Sequence, residues 1–185
     1  MKYASDDLKH EHEAILFSLK VLEEICRRIE SGTSVPVEDA AALTGFLILF
    51  ADKCHHGKEE LFFFPALEEA GIPVQNGPLG ILLEEHERGR MLIRNMQSAL
   101  SVNTFNSEEF VKCSGEYISL LRSHIDKENN LVFAIGDEKL SPSANEKLLK
   151  EFDKFEDEVI GKGKHDELHA MLKEFKEKYI IEVKD

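Results

Sequence analysis

Apolar side chains recur at steps of three and four along almost the whole chain, and few segments alternate with the period of two that marks a strand. In residues 5–31 the stripe is Leu8, Ile15, Leu19, Leu22, Cys26 and Ile29, one face of a helix. Ser31-Gly32 ends it, and Thr33–Pro36 is a turn. A second helix runs from about Val37 toward Glu69. Thr33 or Ser34 caps it, Pro36 sits near its first turn, and Pro65 is expected to kink or loosen its last turns. Two glycines and two prolines make 71–78 a loop. A third helix, from about Leu79 to Leu100, carries Leu82, Gly89, Ile93 and Met96 on its stripe. After the break SVNTFNS, Asn106 or Ser107 caps a fourth helix with an acidic first turn. Its core face holds Phe110, Cys113, Tyr117, Leu120, Leu121, Leu131 and Ile135. Gly136 begins another break, and Ser141-Pro142 opens a fifth helix with Leu148, Phe152, Phe155 and Val159 on one face. GKGK at 161–164 is a hinge before a last helix from about His165 to Tyr179. The predicted fold is all-α. An antiparallel up-down four-helix bundle occupies 1–138, and a two-helix extension over 139–185 packs on the bundle or on a partner.

Histidine interrupts these stripes. His12 lies between Leu8 and Ile15, His86 between Leu82 and Gly89, and His124 between Leu120 and Leu131. On the second helix two neighbours compete. His55 has Ile48 and Ala51 behind it, His56 has Asp52 and Lys53, so His55 is taken as the inward one. Counting from the turns at ~1.5 Å per residue puts His12 level with His55, and His86 level with His124 to within about a turn. Glu59 and Glu128 follow His55 and His124 by four residues, so each pair projects from one helix face. A lone inward imidazole is ordinarily a hydrogen-bonded core residue. Four imidazoles and two carboxylates in one layer need cations between them, because a buried carboxylate is costly unless paired or metal-bound. Two divalent ions bridged by the carboxylates satisfy every group, and such bridges favour iron or manganese. His10, His56, Glu60 and Glu87 are spare ligands that read better as parts of solvated faces. His165 and His169, in HDELH, form another i, i+4 pair, but Asp166 stands where a metalloprotease helix has its glutamate. The Phe62–Phe64 run and Tyr117 read as core.

Composition narrows the partners. Among 185 residues, 23 Lys and Arg face 36 Asp and Glu, a net charge of −13 that disfavours nucleic acid and anionic membranes. No apolar run is long enough for a membrane span and no secretory leader is visible. Cys26, Cys54 and Cys113 are odd in number without CxxC spacing, which suits reduced, packing thiols in the cytoplasm.

The ordered strings KHEHEAIL, CHHGKEELFFFPALEEAGIP, GPLGILLEEHERGR and SHIDKEN resemble the hemerythrin-like (HHE cation-binding) family over about residues 5–136. The resemblance implies that His12, His55, His86 and His124 ligate two iron ions, cycling between Fe2+ and Fe3+. Glu59 and Glu128 bridge them beside an oxo or hydroxo group. The oxygen carriers of the family have a further histidine one turn before the one on helix 3; here that position is Leu82. Their last carboxylate is an Asp five residues after its His; here it is a Glu four after. Two functions follow from the resemblance. One is a non-catalytic centre that binds or senses O2, NO or peroxide, or handles iron. The other is a diiron enzyme, a peroxidase, NO reductase or iron donor for cluster repair, served by a redox partner protein.

Overall fold

The computed structural model describes residues 3–100, 104–161 and 164–180, apart from the side chains of His165 and Asp166. Every element among them is helical. Helix α1 is Ala4–Glu30. Its end follows the sequence: Ser31 closes the last turn, and Gly32 takes φ +73°, a backbone that glycine adopts without strain. Helix α2 spans 37–69 without interruption. Neither Thr33 nor Ser34 caps it; Pro36 occupies the cap position and leaves the first turn to the acidic Glu38 and Asp39. Helix α3 is Pro78–Ala99. Helix α4 spans 107–139, with Asn106 accepting from the Glu109 amide at 3.1 Å. Helix α5 is Pro142–Val159, capped by the Ser141 hydroxyl, and α6 spans 164–180. Residues 101–103 of the SVNTFNS break and 162–163 of the GKGK hinge lie outside the described residues; Gly161, at φ +89°, begins that hinge.

Three of these helices are not uniform; α6 ends in a π-helical turn at Lys176–Ile180, and the other two bear on the site. In α2 the segments Leu47–His56 and Glu59–Phe63 are π-helical, and so is Glu128–Val132 in α4. The hydrogen bonds there reach back five residues, which widens the turn and lowers the angle between sequence neighbours below the α-helical ~100°. Pro65 therefore does not break α2. The ladder has already shifted register before it, with the Phe64 amide on the Glu59 carbonyl, and α-helix resumes at Phe64–Glu69.

The wide turn in α4 corrects two expectations. Leu131, assigned to the core, is 49% exposed, because the turn rotates Val132 and Phe133 inward in its place. Gly136 is not a break: the helix runs through it to Lys139. A Cβ there would stand 2.8 Å from the Phe63 ring, so glycine allows α4 to lie close against α2. Leu120 and Ile135 are half-buried at the margin of the core.

The buried apolar side chains form two bodies. The upper one contains Ile15, Leu22, Leu47, Ile93, Met96 and Leu121. The lower one contains Leu8, Phe63, Phe64, Leu79, Leu82 and Phe133. Between them lies a polar layer. The extension packs on both, through Leu148 and Phe152 of α5 below and Leu172, Phe175 and Tyr179 of α6 above. No described helix is long and apolar enough to cross a membrane.

Candidate metal centre

The polar layer is built from inward positions of α1, α2, α3 and α4, where the apolar stripes give way to histidine and glutamate. The structure brings together all six residues predicted from the sequence, and adds His56. These seven side chains fall into two groups that share Glu59: His12, His55, Glu59 and Glu128, and His56, His86, His124 and Glu59. None of the seven is more than 3% exposed. The adjacent His55 and His56 both face inward because they close the π-helical stretch of α2. In a regular α-helix one of the two points away, and that assumption sent His56 to the surface in the sequence reading. The signal that could have found it was the doubled histidine itself, on a helix with Pro65 downstream.

The imidazoles meet edge to edge. Nε2 of His55 lies 2.9 Å from Nε2 of His12, and Nε2 of His86 lies 3.0 Å from Nε2 of His124. The other nitrogen of each ring is already engaged. His55 Nδ1 donates to Glu11 at 2.7 Å, His86 Nδ1 to Glu60 at 2.7 Å, His124 Nδ1 to Glu85 at 2.9 Å, and His12 Nδ1 to the Asn129 amide oxygen at 2.9 Å. Three of these acceptors are anchored in turn by cations: Lys58 on Glu11, Arg90 on Glu60 and Lys127 on Glu85. With the proton on Nδ1, each Nε2 presents a lone pair to the layer. Two donors about 2.1 Å from one ion and at right angles stand about 3 Å apart, the spacing observed here.

The two central carboxylates complete the case. No oxygen of Glu59 or Glu128 has a hydrogen-bond partner, although both residues are fully buried. Glu128 lies 3.2 Å from His12 Nε2 and 3.1 Å from His124 Nε2, so it spans the two groups. Glu59 lies 3.6 Å from His55 Nε2 and 3.5 Å from His86 Nε2, and spans them too. Burial, together with the neighbouring Glu128, lifts the Glu59 carboxyl well above the usual carboxylate range. Burial acts the same way on Glu128, but His124 and its neighbours hold it low. Burial and His12 depress His55, and burial and His86 bring His56 down to about 3. Burial also pushes His124 down, yet Glu128 and Glu85 reverse it to about 9. Converging imidazoles beside orphaned carboxylates are a donor set that fits divalent cations.

The remaining candidates separate cleanly. Glu60 holds His86 from outside the layer and is itself held by Arg90. His10 and Glu87 are on the surface, His10 beside Glu13 and Glu87 on Arg90. His169 is exposed on α6, and the side chain of His165 lies outside the described residues. Leu82 packs in the lower apolar body. Tyr117 is buried with no partner for its hydroxyl.

Fold and site together define a helical metal-binding protein. Residues 3–135 match the hemerythrin HHE cation-binding domain, and the chain belongs to that family, for which cation binding is implied. Uncharacterized proteins of Mycobacterium tuberculosis and Mycobacterium bovis are 25% identical to it over 134 residues, 70% of this chain and 52% of theirs. The chain thus spans about half the length of the curated relatives it matches. No solved structure matches it significantly.

Proposed function

We propose that the chain is a non-haem diiron protein that binds O2, NO or peroxide at a His/Glu centre in an antiparallel up-down four-helix bundle. The observation that carries this reading is the pair of fully buried, unpartnered carboxylates, Glu59 and Glu128, each lying between two groups of imidazoles. Glu59 and Glu128, each beside both groups, would serve both ions. His56, His86 and His124 would hold one ion, and His12 and His55 the other. His56 brings the number of imidazoles to five from α2, where the oxygen carriers that this chain resembles draw theirs from the third helix. An ion beside His12 and His55 would have fewer imidazole donors and would be the one to take a small ligand. Bound iron supplies reversible coordination and one-electron chemistry toward such ligands. The protein's own residues fix geometry and charge. Glu11, Glu60, Glu85 and Asn129 hold the Nδ1 protons of His55, His86, His124 and His12, and the apolar bodies above and below exclude water. The acidic surface suits a basic redox partner, in a cytoplasmic setting.

The test is iron reconstitution followed by metal analysis and visible spectra in air, after reduction, and on addition of O2 or NO. About two irons per chain with a reversible spectral change on O2 or NO is expected. Iron uptake that His55→Ala and His124→Ala leave unchanged overturns the centre. Sustained consumption of peroxide or NO with an added reductant replaces binding by the enzyme reading.

A further inference from the structure

Beyond the stretch that matches the family, α5 reaches toward the polar layer through one charged side chain. Lys58, on α2, is 1% exposed, with its Nζ over the Phe152 ring, 5.7 Å from the centroid. A lysine this deep needs acceptors on every side. It donates to Glu11 at 2.5 Å and to Glu156 at 2.7 Å, with Asp7 at 3.4 Å. The other oxygen of Glu11 receives His55 Nδ1 at 2.7 Å. An unbroken series of hydrogen bonds therefore runs from Glu156 through Lys58 and Glu11 to His55. Glu11, Cys54 and Glu156 also lie close enough to hold an ion, but the Lys58 ammonium already bonds both carboxylates.

The other acceptors that fix histidines take their cations from inside the bundle, Arg90 on α3 and Lys127 on α4. Only at Glu11, among the described residues, does the cation depend on a residue from the extension. The approach is prepared by glycine: a Cβ on Gly57 would stand 2.8 Å from the Phe155 ring, so α5 lies hard against α2 next to Lys58.

We propose that Glu156 is a positioning residue for the metal centre. By holding the Lys58 ammonium it keeps Glu11 on the His55 Nδ1 proton, and so aims His55 Nε2 at the ion shared with His12. The extension is thereby part of the centre, and this rests on the diiron reading above. Loss of an outer partner of a metal-ligating histidine ordinarily weakens metal binding by about 10–100-fold. Glu156 acts two groups away, so the lower end is expected.

The experiment titrates the full chain with cobalt(II) alone, following the cobalt absorption bands and the rate of loss to a chelator. Wild type is expected to take two ions. Glu156→Ala should weaken one of them roughly tenfold and shift its absorption, leaving the other unchanged. Glu156→Gln, which still accepts from Lys58, should restore most of the affinity. Phe155→Ala removes α5 packing without touching the series; it should lower the melting temperature and keep both ions. If Glu156→Ala binds both ions like wild type, or if Phe155→Ala weakens the same ion as strongly, the positioning role is wrong while the diiron reading stands. A wild-type chain that takes up no cobalt overturns both.

Discussion

The polar layer and the apolar bodies on either side of it solve opposite problems with the same helices. In the upper body, residues such as Ile15, Leu19 and Leu22 are wholly buried and need only volume and shape. In the layer below, burial is equally complete, but Glu59 and Glu128 carry unpartnered oxygens and the imidazoles of His12 and His55 face each other at 2.9 Å. Without cations the layer costs the fold several kcal/mol for each buried charge. With them the same layer would become a site of chemistry that the apolar bodies lack. Stability resides in the apolar bodies and specificity in the layer. Substitutions should therefore separate the two quantities.

The largest separation is expected at Glu59, which both groups share. Glu59→Ala should abolish binding of both ions, read as metal per chain after reconstitution. The metal-free protein should respond in the opposite sense. Glu59→Met, of similar volume, removes a buried carboxyl that Glu128 opposes, and should stabilise the metal-free chain by about 1–4 kcal/mol in a denaturant titration. A metal-free Glu59→Met chain that is less stable than wild type would mean that the layer contributes to the fold unaided. In the upper body the pattern reverses. Leu22→Ala leaves a cavity and should cost about 2–5 kcal/mol while both ions remain.

The same division explains what could be read from the sequence. The apolar bodies were legible because their residues keep the α-helical period: Leu8, Ile15, Leu19 and Leu22 are all buried as their spacing demands. His12, His86 and His124 were legible as exceptions on that period. The errors cluster where the period changes. His56 and Leu131 were placed on the wrong sides because α2 and α4 widen to π-helix beside their ligand pairs, and no α-helical count anticipates that. The outer acceptors Glu11 and Glu85 were missed for a different reason. They lie on helices other than those of the imidazoles they hold, so no single-helix pattern connects them. Gly136 read as a break because glycine ends helices more often than it admits a neighbouring ring.

That glycine offers a smaller effect. Gly136→Ala places a Cβ 2.8 Å from Phe63, a buried ring in the lower body, and should cost about 1–3 kcal/mol by overpacking. Phe63 borders the layer through Phe133, which stacks on His12 at 5.4 Å, so the alanine variant should also loosen the ion beside His12. Unchanged stability would show that the two helices can part without cost.

The smallest effect is the reference for all the others. Gly115 lies on the exposed side of α4, where an added Cβ meets nothing within 4 Å. It is in neither apolar body and touches no member of the layer. Glycine in an exposed helix interior is less favourable than alanine by about 0.8–1.0 kcal/mol. Gly115→Ala should therefore stabilise the chain by roughly that amount, equally with and without metal, because the gain arises from the backbone of α4 alone. Equal gains in the two states would show that helix propensity and ion binding are independent here. A larger gain in the metal-loaded protein would mean that α4 moves when the layer fills, and that the apolar bodies and the layer are coupled after all.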